Sequence, residues 1–278
     1  MGRVGEQHLQ WRAVPELWSS DEVELWKIAI VALAGGACGL FNSIAGGGSL
    51  VLFPTLLLVG LPPLSANVTN SVATWPGYVG GVGGFRAEIV DQRPRLPRLL
   101  VATVLGSLSG CVPLLVTPSA EFTTIVPLLV LVAAGLTAIQ PIVKRRLSAE
   151  GNDEGSDDLS PSWVAVAGVF LATIYGGYFG AALGVIVLAV LGVTIGDTLR
   201  RLNATKAVIS LVDGSVSVVV FGLFGPVNWA YVAVAAPTTL AGGYIGARLA
   251  RRIDENLLRV VIVVFGVVVA AVLFVQLA

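Results

Sequence analysis

The chain has 278 residues, 55% of them hydrophobic and only 12% charged, with 17 basic side chains against 17 acidic ones and a mean hydropathy of +0.87. A soluble domain of this length carries about 25% charged residues to hydrate its surface, so the composition excludes a water-soluble globular protein. The balanced charge offers no electrostatic footprint for nucleic acid.

Residues 1–26 are polar and hold Trp11, Trp18 and Trp26, the pattern of an amphipathic segment lying at the lipid headgroups, with Lys27 at the entry to the membrane. This start is polar, and the first apolar run is too long for a signal-peptide core, so no cleaved leader is expected. Ile28 to Phe85 then contains no Lys, Arg, Asp or Glu, and neither do Leu99–Thr117, Phe122–Val143, Ser162–Gly196 or Val260–Ala278. From Ala207 to Ala247 the single charge is Asp213. A bilayer core takes about 20 apolar residues per helix, and backbone groups in lipid must pair internally, which an unbroken apolar run achieves only as a helix. The period-two alternation of a membrane β-barrel is missing. These features predict an all-α, multi-pass integral membrane protein, placed in an inner membrane of bacterial type.

The charged stretch KRRLSAEGNDEGSDDLSP, 144–161, reads as a cytoplasmic linker between two membrane repeats, 27–143 and 162–278. Shifted by 136 residues the halves coincide at Gly48/Gly184, Gly60/Gly196, Asn67/Asn203, Thr69/Thr205, Phe85/Phe221, Thr103/Thr239, Gly106/Gly242 and Gly110/Gly246, which points to a duplication. Basic residues gather at Arg86–Arg98, Lys144–Arg146, Arg200–Lys206 and Arg248–Arg259, while the turns at Pro118 and Pro226 have none. Placing the basic groups on the cytoplasmic side makes equivalent helices run in opposite senses. The expected plan is an inverted-topology repeat, each half a re-entrant or short helical hairpin plus three transmembrane helices, with roughly eight to ten spans in all.

Chemistry is expected first at NSIAGGGSLVLFP, Asn42 to Pro54. Consecutive glycines weaken a helix by about 1 kcal/mol each, and they expose N–H groups where the next helix starts, which with the positive helix end makes an anion site. Asn42, Ser43, Gly46, Gly47, Gly48 and Ser49 would form it, although close helix packing explains the same small residues. Gly176, Gly177, Gly180 and Gly184 mark a corresponding break in the second half.

The segment from Gly39 to Gly77, with Gly46–Gly48, Pro54, Gly60–Pro63 and Ala66–Asn70, resembles the sulfite exporter TauE/SafE family, as do Tyr175–Gly184 and Leu202–Ala207 in the second half. Asn42 stands where that family commonly has Asp, and Ser49 where it commonly has a fourth Gly. The resemblance implies a secondary transporter of sulfite, sulfonates, sulfoacetate-like compounds or other organic anions, and no enzymatic activity.

Asn67, Thr69 and Asn70 and their counterparts Asn203, Thr205 and Lys206 open equivalent helices, and inverted symmetry brings both sets toward one central site in this reading. Their neutral donors and the Lys206 ammonium suit sulfonate oxygens; alternatively Lys206 faces the cytoplasm as an orienting charge. Asp213, the acid within a span, is a candidate for proton coupling, for cation binding or for an ion pair with Lys206 two turns away. Trp75, Tyr175 and Tyr178 either line the pathway or pack. His8 lies outside the apolar runs, so no histidine metal site is expected in the membrane, and no cofactor is implied. Cys38 and Cys111 read as buried, inert thiols. Two rival readings are an anion channel and a thiosulfate-handling protein that uses Cys38. The expected partners are the small anion and membrane lipid, and the small-residue face Gly242–Gly246 packs either within the chain or against a second copy in a homodimer.

Overall fold

The computed structural model describes residues 20–44, 46–83, 85–92, 94–150, 161–195, 197–249 and 255–277. The expected interfacial segment with Trp11 and Trp18 lies outside these residues, as does linker 151–160. The described residues form helices: α1 Ser20–Ile44, α2 Ser49–Leu58, α3 Pro63–Gly83, α4 Arg86–Gln92, α5 Leu96–Val116, α6 Ser119–Glu150, α7 Trp163–Tyr178, α8 Leu183–Thr194, α9 Leu199–Phe224, α10 Trp229–Leu249 and α11 Glu255–Leu277. Among them, Leu25–Ile44, Leu96–Val116, Ser119–Ile142 and Arg200–Phe224 are long and apolar enough to cross a bilayer, while α2, α7, α8 and Val260–Val275 are shorter apolar helices. Large apolar side chains stand exposed along whole faces, among them Val101, Leu105, Leu108 and Val112 of α5 and Val260, Val264, Val268 and Val275 of α11. Water-soluble monomers seldom leave contiguous apolar faces of that extent. The molecule is a helical membrane protein.

The ends of the helices follow local chemistry. Ser162 caps α7 by accepting the Ala165 N–H, and Thr198 does the same for α9 from Arg201. Gly60, at φ +100°, ends α2 in a left-handed turn that leads into the Pro62–Pro63 start of α3. Two elements depart from expectation. Arg86–Gln92, within the expected arginine-rich loop, forms the short helix α4, and α6 continues past Val143 to Glu150, through the first residues of the expected linker.

Packing falls into matched sets. Helix α1 packs along α10, and α7 along α5; α3 meets α10, and α9 meets α5; α2 touches α11, and α8 touches α6. Each set becomes the other when a helix is exchanged for its counterpart in the opposite half. The close approaches are also matched. A Cβ at Gly242 would collide with the Gly36 carbonyl, and one at Gly246 would sit 2.8 Å from the Leu40 carbonyl oxygen. A Cβ at Gly106 would sit 2.5 Å from the Phe170 carbonyl oxygen, and one at Gly110 would collide with the Ile174 carbonyl. The Gly242–Gly246 face is therefore occupied within the chain, by α1.

Those pairs relate α1 to α7 by 134 residues, not 136. The turn glycines agree: Gly46 has φ +75° and Gly180 φ +74°. The difference is taken up in the following helix, because α2 has 10 residues and α8 has 12. By geometry Gly46 thus answers Gly180, whereas a gapless shift aligns Gly48 with Gly184.

Candidate functional site

Both short hairpins, α1–α2 and α7–α8, end in glycine-containing turns, and the turns meet. A Cβ on Gly46 would sit 3.7 Å from a methyl of Val185, in the first turn of α8. The first turn is fixed by its own residues. Asn42 accepts the Gly48 N–H on Oδ1 at 2.7 Å, and the Gly46 N–H bonds to the Phe41 carbonyl at 2.9 Å. Gly48 is pressed so closely on Cys38 that a Cβ would lie 2.8 Å from its carbonyl carbon. In the second turn Gly180 and Ala182 (φ 62°) hold the left-handed conformation, and α8 begins directly after them. A non-glycine residue in that conformation stores strain of about 1–3 kcal/mol, typical of functional turns.

A cleft of about 40 Å³ opens between the turns, lined by Asn42, Ser43, Gly46 and Gly47 from the first hairpin and Gly180, Ala182, Leu183 and Gly184 from the second. Helix α3 contributes Gly77, Tyr78 and Gly81, and α9 contributes Lys206, Ala207 and Ser210, with Phe85 at the edge. A water needs roughly 10–15 Å³ on this measure, so the space suits a compact polar group. Lys206 is buried and lies along Gly184, where a Cβ would meet its Cδ at 3.5 Å and its Nζ at 3.9 Å. Among the lining residues the ionisable side chains are Lys206 and Tyr78, so the charge in this wall is positive. The first-turn N–H groups of Leu50, Val51, Leu183 and Val185 bond to the turn carbonyls of Gly47, Gly48, Gly180 and Ala182, and both helices bring their positive ends to the cleft.

The other expected site residues are distributed differently. Gly48 and Ser49 lie behind the cleft wall, Gly48 by its bond to Asn42. Ser43 lines the cleft but donates its hydroxyl to the Gly243 carbonyl at 2.9 Å. Asn67 donates Nδ2 to the Tyr178 carbonyl at 3.0 Å, beyond the cleft lining. Thr69 accepts the Asn228 N–H at 2.9 Å, and Thr205 donates to the Arg201 carbonyl at 3.2 Å. Asn70 is buried and Asn203 half-buried, both outside the lining. The Tyr178 ring packs edge-on against Phe122, and the Trp75 indole donates to Ser215 at 2.9 Å, tying α3 to α9. Tyr175 packs edge-on against Phe179 within the core.

Asp213 also stands away from the cleft. It accepts the Ser107 hydroxyl of α5, and a Cβ on Gly176 of α7 would lie 2.7 Å from its Oδ1. Three helices thus converge on one buried carboxylate. Cys38 is fully buried, 3.7 Å from the Thr74 hydroxyl, and Cys111 lies 3.6 Å from that of Ser217; neither thiol faces the cleft. The described residues hold no cluster of His, Cys, Asp and Glu suited to a metal ion.

Sequence reasoning missed Gly77, Tyr78, Gly81 and Ser210. Ser210 stands one turn after Lys206 on the same face of α9, so helical spacing alone pointed to it. It also missed a buried polar lock at the end of the molecule that carries the arginines. Arg95 pairs with Asp197 at 2.7 Å, each side chain 4% exposed, and Gln92 donates to the same carboxylate at 3.0 Å. Arg200 pairs with Glu88 beside them. These bonds join the α4–α5 region to the start of α9.

The model of the family described as "Sulfite exporter TauE/SafE" matches residues 31–273, which include both hairpins and the cleft. The chain belongs to this family. TauE/SafE relatives extend across several bacteria. The chain is 24% identical over 245 residues to a "Probable membrane transporter protein" of Haemophilus influenzae, covering 88% of this chain and 93% of that one. It is 26% identical over 234 residues to "Probable membrane transporter protein YfcA" of Escherichia coli K12, covering 84% of each. A "Probable membrane transporter protein ORF9" of Sinorhizobium sp is 25% identical over 253 residues, with 87% and 90% covered. Family and fold together make this TauE/SafE protein a membrane transporter.

Proposed function

We propose that the chain carries a compact sulfur oxyanion, or the anionic head of a sulfonate or related organic acid, across the bacterial inner membrane by alternating access. The observation that carries this reading is the meeting of two glycine turns at a cleft whose buried charge is Lys206. An anion placed there exchanges its hydration shell for two positive helix ends and an ammonium. Asn42 holds the first turn in shape, and Ser210 and Tyr78 offer hydroxyls within the same wall.

The exchange pattern of the packing supports an inverted repeat, in which the two halves rock about the shared cleft. In this reading the Arg95–Asp197–Gln92 lock closes the cytoplasmic end, and the Thr69–Asn228 and Ser65–Pro226 bonds close the other. One position of each set is a counterpart at the 136-residue shift, where Gln92 answers Asn228. Asp213 is the group that takes up a proton when the helices around it shift. It loses the Ser107 bond and gains water in the alternative state.

The test is flux of labelled sulfite and of a short sulfonate in proteoliposomes. Saturation, and acceleration by unlabelled anion on the opposite side, are expected. Unsaturable flux at channel rates would replace the carrier by an anion channel, and flux unchanged by Lys206→Gln would remove the assigned site.

A further inference from the structure

Among the described residues three buried polar atoms find no hydrogen-bond partner: Asn67 Oδ1, Asn70 Oδ1 and the Tyr175 hydroxyl. Two of them share one face of α3, and the third lies on α7, the helix whose end Asn67 bonds. Asn67 and Asn70 stand one turn apart on the same face of α3, 1% and 2% exposed, and Tyr175 lies in the last turn of α7, the helix whose final carbonyl, that of Tyr178, Asn67 grips. The Asn67 amide orientation is fixed by chemistry, because a carbonyl only accepts: Nδ2 must face Tyr178, which leaves Oδ1 as the open group. An open buried acceptor disfavours an anion and calls for a cation or a donor.

The second half shows what such a place holds. At the 136-residue shift Asn67 answers Asn203, and Asn70 answers Lys206. In one half the position carries a covalently attached ammonium; in the other it carries a neutral amide with its oxygen open. Here α7 ends at its negative pole, with the Tyr178 carbonyl against Asn67. Amide and backbone oxygens at a helix C-terminus are the ligands that hard monovalent cations take.

We propose that the α3–α7 junction is a sodium site, built from Asn67 Oδ1, Asn70 Oδ1 and the carbonyl end of α7, in which the bound ion takes the part that the Lys206 ammonium plays in the other half. The site stands apart from the anion cleft, so it does not depend on what that cleft carries. Its binding couples the transporter to a cation gradient.

The test is thermal unfolding of the purified full-length protein without any candidate substrate, in sodium, potassium or choline chloride at one ionic strength and one pH. Sodium should raise the melting temperature saturably over choline. Asn70→Ala should lose that shift. Asn70→Lys, which copies the second half, should lose it while melting at or above the sodium-free parent. Should the Asn70 variants fail to fold, binding of ²²Na⁺ to the unaltered protein decides, with saturable binding near one ion per chain expected. No sodium effect and no bound ion would mean that water satisfies these oxygens, and would overturn the proposal. So would a sodium shift that survives intact in Asn70→Ala.

Discussion

Lys206 is buried beside Gly184 at the meeting point of two helix starts, so its ammonium and both helix ends bring positive charge to one place. A charge-assisted hydrogen bond contributes about 1.5–3 kcal/mol. Lys206→Gln should therefore weaken apparent anion affinity by about ten- to a hundredfold, read as a raised half-saturation concentration in proteoliposome uptake. Asn42 acts one step back, since its Oδ1 holds the Gly48 N–H and not the cargo. Asn42→Ala removes a cap-like bond of about 0.5–2 kcal/mol, so its melting temperature should fall and its uptake should slow together. Asn42→Asp keeps the acceptor and should retain the fold. The glycines and Lys206 were legible as residues because their chemistry is local. The grouping of Asn67, Thr69 and Asn70 was not. On a helix, residues two apart face different sides, and Thr69 accordingly turns to Asn228 while Asn67 turns to Tyr178.

At the scale of elements, charge-free runs located most helices, and the Gly60–Pro63 turn separated α2 from α3 as the sequence implied. The two-residue difference between α2 and α8 stayed hidden, because both are apolar and small residues align equally well on either side of the gap. Helix α4 was hidden by its charges, which read as a loop although its Glu88 and Gln92 turn inward. The glycine contacts between helices carry a direct prediction. Gly242→Val or Gly106→Val forces α10 from α1, or α5 from α7, and overpacking of this kind costs about 1–3 kcal/mol. Both variants should melt lower than the parent in detergent, and a Gly83→Val control, where the structure leaves open space, should not. The buried Arg95–Asp197 pair should be more sensitive. Arg95→Ala strands the carboxylate and should destabilise the protein by about 3–5 kcal/mol, whereas replacing both partners with apolar residues should restore much of the loss.

For the whole molecule, composition alone assigned the solvent, and the apolar outer faces of α5 and α11 agree with it. The pairing of halves emerges only in three dimensions, where α1 on α10 repeats as α7 on α5. In the proposed alternating-access cycle one end closes as the other opens. Weakening the Arg95–Asp197 lock in a variant that still folds, such as Asp197→Asn, should therefore shift the protein toward a cytoplasm-open form. Accessibility of a cysteine introduced at Ala207, in the cleft wall, should then rise from that side and fall from the other. The central claim, that the cleft between the two glycine turns binds the transported anion, is most directly tested by thermal unfolding of the purified protein against sulfite, thiosulfate, sulfonates, sulfoacetate and carboxylates at constant sodium. One class of oxyanion should raise the melting temperature saturably, and Lys206→Gln, folded, should lose the shift. An anion shift that Lys206→Gln retains in full, or no shift with any anion, would contradict it.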